Sequence, residues 1–179
     1  RIPLRRTKSY KSLRGANGFR RGTTKNPEIS GRPPTGSLVR AGAFGANSVG
    51  SMLHVRGIES LNLTRSHACV TIGNFDGVHR GHQRILGAVL GESRRTGGPA
   101  CVYTFRPHPQ EVLRPGTQVK LLTLYDEKIS ILDSLGLDVV VDEPFSQEFF
   151  SLSARDFFEK VIVNGFRAAS LFVGHDFAF

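Results

Sequence analysis

The 179-residue chain holds only two cysteines, Cys69 and Cys101, and one methionine, Met52. Two cysteines do not make the disulfide framework of a small secreted domain. Both fall inside apolar runs, where they read as inert small hydrophobes and not as nucleophiles. No apolar run reaches the length of a membrane span, and none has the make-up of a secretory h-region. A cytoplasmic location is the simplest inference.

Acid is scarce in one place. Residues 1–51 carry eleven Lys and Arg against a single acid, Glu28, whereas residues 52–179 carry 13 basic and 14 acidic side chains. The formal charge of +9 therefore belongs to a tail and not to the rest of the chain. That tail shows no sustained period and is rich in Gly, Ser, Arg, Asn and Pro, so it reads as disordered. Three readings of it stand: an arm that binds RNA or a membrane surface, an organelle transit peptide, or residues outside the native protein. Charge balance and periodicity both change directly after Met52, which favours Met52 as the true start. The expected organisation is a basic tail, 1–51, dispensable for folding, and a globular domain, 52–179.

What is present from Met52 onward alternates strand with helix. Residues 53–58 are a short lead-in suited to a sheet edge. Ala68-Cys69-Val70-Thr71-Ile72 is a buried strand by length and β-branching. Apolar pairs at Ile85/Leu86 and Val89/Leu90 predict a helix that ends in Arg94, Arg95 and then glycines. Ala100 to Phe105 is a second strand, stopped by Pro107 and Pro109. A helix follows over 125–135, with Ile129, Leu132 and Leu135 on one face and charges opposite, and Gly136 ends it. Asp138 to Asp142 is a third strand. Ser153 caps a helix that carries Phe157, Phe158, Val161 and Ile162, and the aromatics of 145–158 read as core. A fourth strand, 169–173, precedes a loop, Gly174 to Phe179, where the chain stops. The pattern is an α/β fold with a parallel sheet, expected to lack its last elements.

The chemistry concentrates in Val70 to His82, V-T-I-G-N-F-D-G-V-H-R-G-H. It is a strand, a turn with glycines at 73, 77 and 81, and a helix start. Helix starts offer unpaired N–H groups and partial positive charge to phosphate, and glycines let the backbone come close. The two commonest phosphate loops are missing, for there is no G-x-G-x-x-G and no Walker lysine. In their place His79 and His82, three apart, face the same way on a first helical turn. Imidazoles there can donate to charge that develops on a phosphoryl oxygen. Two histidines with no third ligand at finger spacing make a zinc site the weaker reading. His108 leaves the carboxyl end of a strand, where ligands bind in open sheets; it is either a site residue or a turn residue.

The H-x-G-H pattern is similar to that of the Rossmann-like nucleotidyltransferases. More fully, residues 52–179 resemble the adenylyltransferase module of the prokaryotic FAD synthetases, the bifunctional riboflavin kinase/FMN adenylyltransferases. The motifs are T-I-G-N-F-D-G-V-H-R-G-H (71–82) and T-F-R-P-H-P (104–109). Lys128 with Leu132 and Gly136, Pro144-Phe145, Leu152-Ser153, Phe157 and Gly174-His175-Asp176-Phe177 follow in order. His175 and Ala178 depart from it, standing where an acidic and a basic residue are common. The resemblance implies that His79 and His82 are catalytic and hold ATP phosphates, with Gly73, Asn74, Phe75, Asp76 and Gly77 shaping that pocket. It puts Thr104, Pro107, His108, Pro109 and Asp176 toward the flavin, with no metal held by protein side chains.

The implied reaction moves AMP from MgATP to FMN, giving FAD and pyrophosphate, with Mg²⁺ sharing the phosphate charge. The full gene product is expected to phosphorylate riboflavin as well. The family's later Ser/Thr-rich segment, with an arginine that completes the nucleotide site, is not in this sequence, so the chain as it stands is expected to be a poor enzyme. Two other readings compete: another nucleotidyltransferase of the H-x-G-H group, or a catalytically dead domain with a basic RNA-binding arm. The expected partners are small molecules, with no membrane and only non-specific nucleic-acid contacts of the tail.

Overall fold

Runs of β-branched and small apolar residues become the strands of one sheet. The computed structural model describes residues 11–14, 52–63 and 67–174. Its strands are β1 (Lys11–Arg14), β2 (Leu53–Arg56), β3 (Ala68–Ile72), β4 (Ala100–Arg106), β5 (Val139–Pro144) and β6 (Ala168–Val173). They lie in the order β1-β6-β3-β4-β5-β2. Strands β2 to β6 run parallel to one another, and β1 alone is antiparallel, on β6. The parallel α/β sheet is thus the one expected, with β2 at the edge. β1 is an addition, because K-S-L-R is too short to show a period in sequence. The rest of 1–51 lies outside the described residues.

Both faces of the sheet are covered, so alternate residues of each strand serve different cores. Val70 and Ile72 of β3, Cys101 and Tyr103 of β4 and Val139 and Val141 of β5 face one core, with Phe157, Val161, Ile162 and Phe166. Cys69, Ala100, Val102 and Val140 face the other, with Leu86, Val89 and Leu132. The helices are α1 (Arg80–Thr96), α2 (Pro109–Leu113), α3 (Tyr125–Ser134), α4 (Gln147–Phe150) and α5 (Ala154–Phe157). α1 supplies Leu86 and Val89 and ends on Gly97, left-handed at φ 74°, whose N–H reaches Ser93 O, as the Arg-Arg then Gly ending predicts. Among the described residues no helix is long and apolar enough to cross a membrane.

Three local features differ from the sequence reading. β4 ends at Arg106, before Pro107, and Pro109 opens α2, since proline at the first helical position gives up an N–H that would be unpaired there. The Ser153-capped helix changes winding after α5. Phe158–Gly165 is π-helical, closed by Phe166 N–H to Val161 O at 2.9 Å. Phe157 at the end of α5 and Val161 and Ile162 of the π-helical segment are buried, and Phe158 is exposed. Phe150 is exposed too, so only Phe145, Phe149 and Phe157 of that aromatic run pack with Tyr103 and Phe105.

Candidate active site

The glycine-rich turn leaves the carboxyl end of β3, where Gly73 N–H makes a last bond to Tyr103 O at 3.0 Å. Phe75 takes a left-handed backbone, φ 52°, and buries its ring against Gly73, where a Cβ would lie 3.3 Å from Phe75 Cε2. A single helical turn follows, Asp76–Val78, with Gly77 at φ 68°. The place of a Gly77 side chain is taken by Leu122, whose Cδ1 would be 3.0 Å from a Cβ. Asp76 fixes the same neighbour. Its carboxylate accepts from Leu122 N–H at 2.9 Å, Thr123 N–H at 3.1 Å and Thr123 Oγ1 at 3.2 Å. Gly77 N–H in turn donates to Thr123 Oγ1 at 3.1 Å. Burial alone would raise the Asp76 pKa, but these donors outweigh it and hold the carboxyl below its ordinary range. Asp76 therefore clasps the segment before α3 to the turn.

His79 caps α1. Its Nδ1 accepts from Gly81 N–H at 3.1 Å and His82 N–H at 3.3 Å, so its proton sits on Nε2. A Cβ on residue 81 would come within 3.0 Å of the ring, which explains glycine there. The His82 ring stacks on His79, centroids 3.7 Å apart and planes 17° apart, and meets Phe75 at 5.0 Å. The expectation of bare helix N–H groups needs correcting. Two of them are capped by an imidazole, and Gln83 N–H bonds His79 O at 3.0 Å. What the helix start offers is two stacked rings. His82 is half-buried, and desolvation followed by the adjacent His79 lowers its pKa to about 4, with Asp76 opposing. The ring is neutral near pH 7.

The loop after β4 joins the turn through Asn74. Thr104 Oγ1 donates to Asn74 O at 3.2 Å, and the Lys128 ammonium reaches the same carbonyl at 3.3 Å and Thr104 Oγ1 at 3.1 Å. His108 caps α2, its Nδ1 accepting from Gln110 N–H at 3.2 Å. Its Nε2 pairs with Asn74 Nδ2 at 3.1 Å. Pro107 and Pro109 flank this cap, with Pro107 exposed. Thus Gly73, Asn74, Phe75, Asp76, Gly77, His79 and His82 form one turn, and Thr104 and His108 bond directly to Asn74. Asp176 lies outside the described residues.

Sequence reasoning left Lys128 out of the site, placing it on the charged face of its helix. In the fold Lys128 and Leu132 are the two buried residues of α3. Their four-residue spacing was the available signal, obscured because lysine is so seldom buried. Nearby, Tyr125 donates to Asp142 Oδ2 at 2.6 Å and sits 2.8 Å from His54 Nε2, with the Arg106 guanidinium 4.0 Å from its ring centroid. Among the described residues no group of three His, Cys, Asp or Glu is placed to hold a metal ion.

A family model described as FAD synthetase matches residues 62–179. The chain belongs to the FAD synthetase family. It is 39% identical over 125 residues to a bifunctional riboflavin kinase/FMN adenylyltransferase of Pseudomonas fluorescens, covering 70% of this chain and 40% of that protein. The Escherichia coli K12 protein of the same description is 38% identical over 126 residues, with the same coverage. That of Bacillus subtilis is 33% identical over 116 residues, covering 64% of this chain and 36% of the relative. The chain so spans about 40% of the length of the first two relatives. A crystal structure described as a macrolide-efflux protein from Streptococcus pneumoniae shares the fold, with TM-score 0.64 and 24% identity over 72% of this chain and 43% of that one.

For this FAD synthetase family member the half-buried neutral histidine, His82, has a consequence for stability. Its folded pKa, about 4, is below its ordinary value of 6.5. Between those two values the unfolded chain holds a proton that the folded chain does not, so acid favours unfolding. Stability should be level above pH 6.5 and fall toward pH 4, by on the order of 1 kcal/mol after allowing for solvent screening. Urea unfolding at pH 7 and at pH 4.5 reads this out. His82→Phe should flatten that part of the profile; an unchanged slope in the variant would assign it to other groups.

Proposed function

We propose that this domain transfers AMP from MgATP to FMN, giving FAD and pyrophosphate. The observation that carries the reading is the stacked His79–His82 pair at the start of α1, on a glycine-rich turn at the carboxyl end of β3, in a chain of the FAD synthetase family. An FMN phosphate oxygen attacks the α-phosphorus and forms the new P–O bond. The bond from the α-phosphorus to the bridging oxygen breaks, and pyrophosphate leaves with the electron pair. No protein nucleophile or proton shuttle is required, so catalysis is positioning and charge stabilisation.

In this reading the Nε2 edges of His79 and His82 donate to phosphate oxygens, and Gly73 to Gly77 bring the backbone alongside. Thr104, Pro107, His108 and Pro109 border the acceptor, with Asp176 assigned to that side by the family pattern. Magnesium enters with ATP as its counter-ion. Asp76, the carboxylate of the turn, is committed to Leu122 and Thr123. The two free, buried cysteines suit a reducing cytoplasm.

Calorimetry of this chain with MgATP should give saturable binding. FAD formation from FMN and MgATP, followed by chromatography, is best measured in a protein that carries this module at its relatives' length. Equimolar FAD and pyrophosphate are expected. Transfer to another phosphorylated acceptor with FMN inert, or no nucleotide binding at all, would overturn the reading.

A further inference from the structure

We propose that Lys128 is a positioning residue that sets the glycine-rich turn for its ligand by acting on Asn74; this rests on the reading that the turn receives ATP phosphates. The first observation is burial. Lys128 is 8% exposed, although its long stem would ordinarily carry the ammonium to water. Burial lowers its pKa, with the Asp142 and Asp76 charges opposing and Arg106 adding to the lowering. The second is the nature of its partners. The hydrogen bonds of Nζ given above go to neutral oxygens, the Asn74 carbonyl and the Thr104 hydroxyl. A buried cation is a poor device for core stability, which an apolar side chain of similar volume serves as well or better.

The third observation is what Asn74 controls. Its carbonyl is gripped by Lys128 and by Thr104, and its side-chain amide holds His108. The next residue is Phe75, left-handed and packed on His82. One residue, Asn74, thereby bears on His82 through Phe75 on one side and on His108 through its amide on the other. The ammonium touches neither ring. It fixes the residue from which both are hung, and so coordinates the nucleotide side of the site with the acceptor side.

The test uses this full chain with Lys128→Met, which keeps the stem and removes the ammonium, and Lys128→Arg, whose planar fork does not fit both oxygens at these distances. Imidazole proton and nitrogen NMR signals of His82 and His108 are recorded beside thermal unfolding and MgATP calorimetry. Both ring environments should shift in either variant, and MgATP affinity should drop by roughly tenfold, the worth of one charge-assisted hydrogen bond. Asn74→Ala, which keeps the main-chain carbonyl, should shift His108 and leave His82 close to its place. Unchanged His82 and His108 signals in a folded Lys128 variant overturn the proposal, whatever happens to the melting temperature. If neither variant folds, it is overturned too, since Lys128 is then a requirement of the core. Absence of MgATP binding in the unsubstituted chain would refute the ATP reading, while the ring signals would still decide whether Lys128 positions the turn.

Discussion

His82→Ala is expected to slow FAD formation at least about a hundredfold, the usual loss when one preorganised donor to a transition state is removed. The size follows from what His82 is in this fold. The ring is neutral, with a pKa near 4 set by burial and by His79, so in the proposed reaction its part is to donate a hydrogen bond and not to carry charge. Its Nδ1 is buried with no partner among the described residues, which leaves Nε2 as the working edge. Stacking on His79 and contact with Phe75 fix the ring before any ligand arrives, and that fixing is what makes a single donor valuable in a transition state. The alanine variant should keep its circular dichroism and much of its MgATP affinity, because the turn backbone and His79 remain. The loss should therefore fall on kcat more than on KM. Turnover within a few-fold of normal in a folded His82→Ala protein would remove His82 from the reaction.

A large part of this architecture was legible in the sequence because it is written locally. β3, β4 and β5 are short apolar runs, and α1 carries its apolar pairs and an Arg-Arg-Thr-Gly ending. The glycine-rich turn between them is a contiguous string. The parts that sequence did not reveal depend on partners far along the chain. Asp76 looks like a ligand-facing acid until Leu122 and Thr123, 46 and 47 residues on, are seen to occupy it. His79 looks like a free side chain until the start of α1 folds two N–H groups onto it. The backbone pairing of β1 with β6 is a sheet-edge addition that four residues do not announce. The π-winding of 158–165 is likewise unannounced, since its apolar residues are those an α-helix would carry. Period reveals elements; it does not reveal what another element does to them.

Gly98→Ala is expected to destabilise the fold by about 3 kcal/mol, the upper end of ordinary overpacking. Gly98 is buried between Gly97, the left-handed end of α1, and Pro99. A Cβ added there would collide with the His67 carbonyl oxygen, a backbone atom and not the far end of a flexible side chain. The backbone has little freedom to move away. Cys69 N–H bonds Pro99 O at 2.8 Å, His67 N–H bonds Arg167 O at 3.2 Å, and Gly98 O accepts from Ser93 Oγ at 2.7 Å. Relief would have to part the beginnings of β3 and β4, which carry Asn74 and His108 at their other ends. Gly87 of α1 is the matched contrast. It has a helical backbone with nothing within 4 Å of an added Cβ, so Gly87→Ala should stabilise by roughly 0.5–1 kcal/mol through helix propensity alone. Urea unfolding of the two variants beside the unsubstituted chain should therefore move the midpoint in opposite directions. The folded fraction of Gly98→Ala should still bind MgATP, because the substitution touches no residue of the turn. A Gly98→Ala protein as stable as the original would mean that β3 and β4 meet less closely at this end than their hydrogen bonds require.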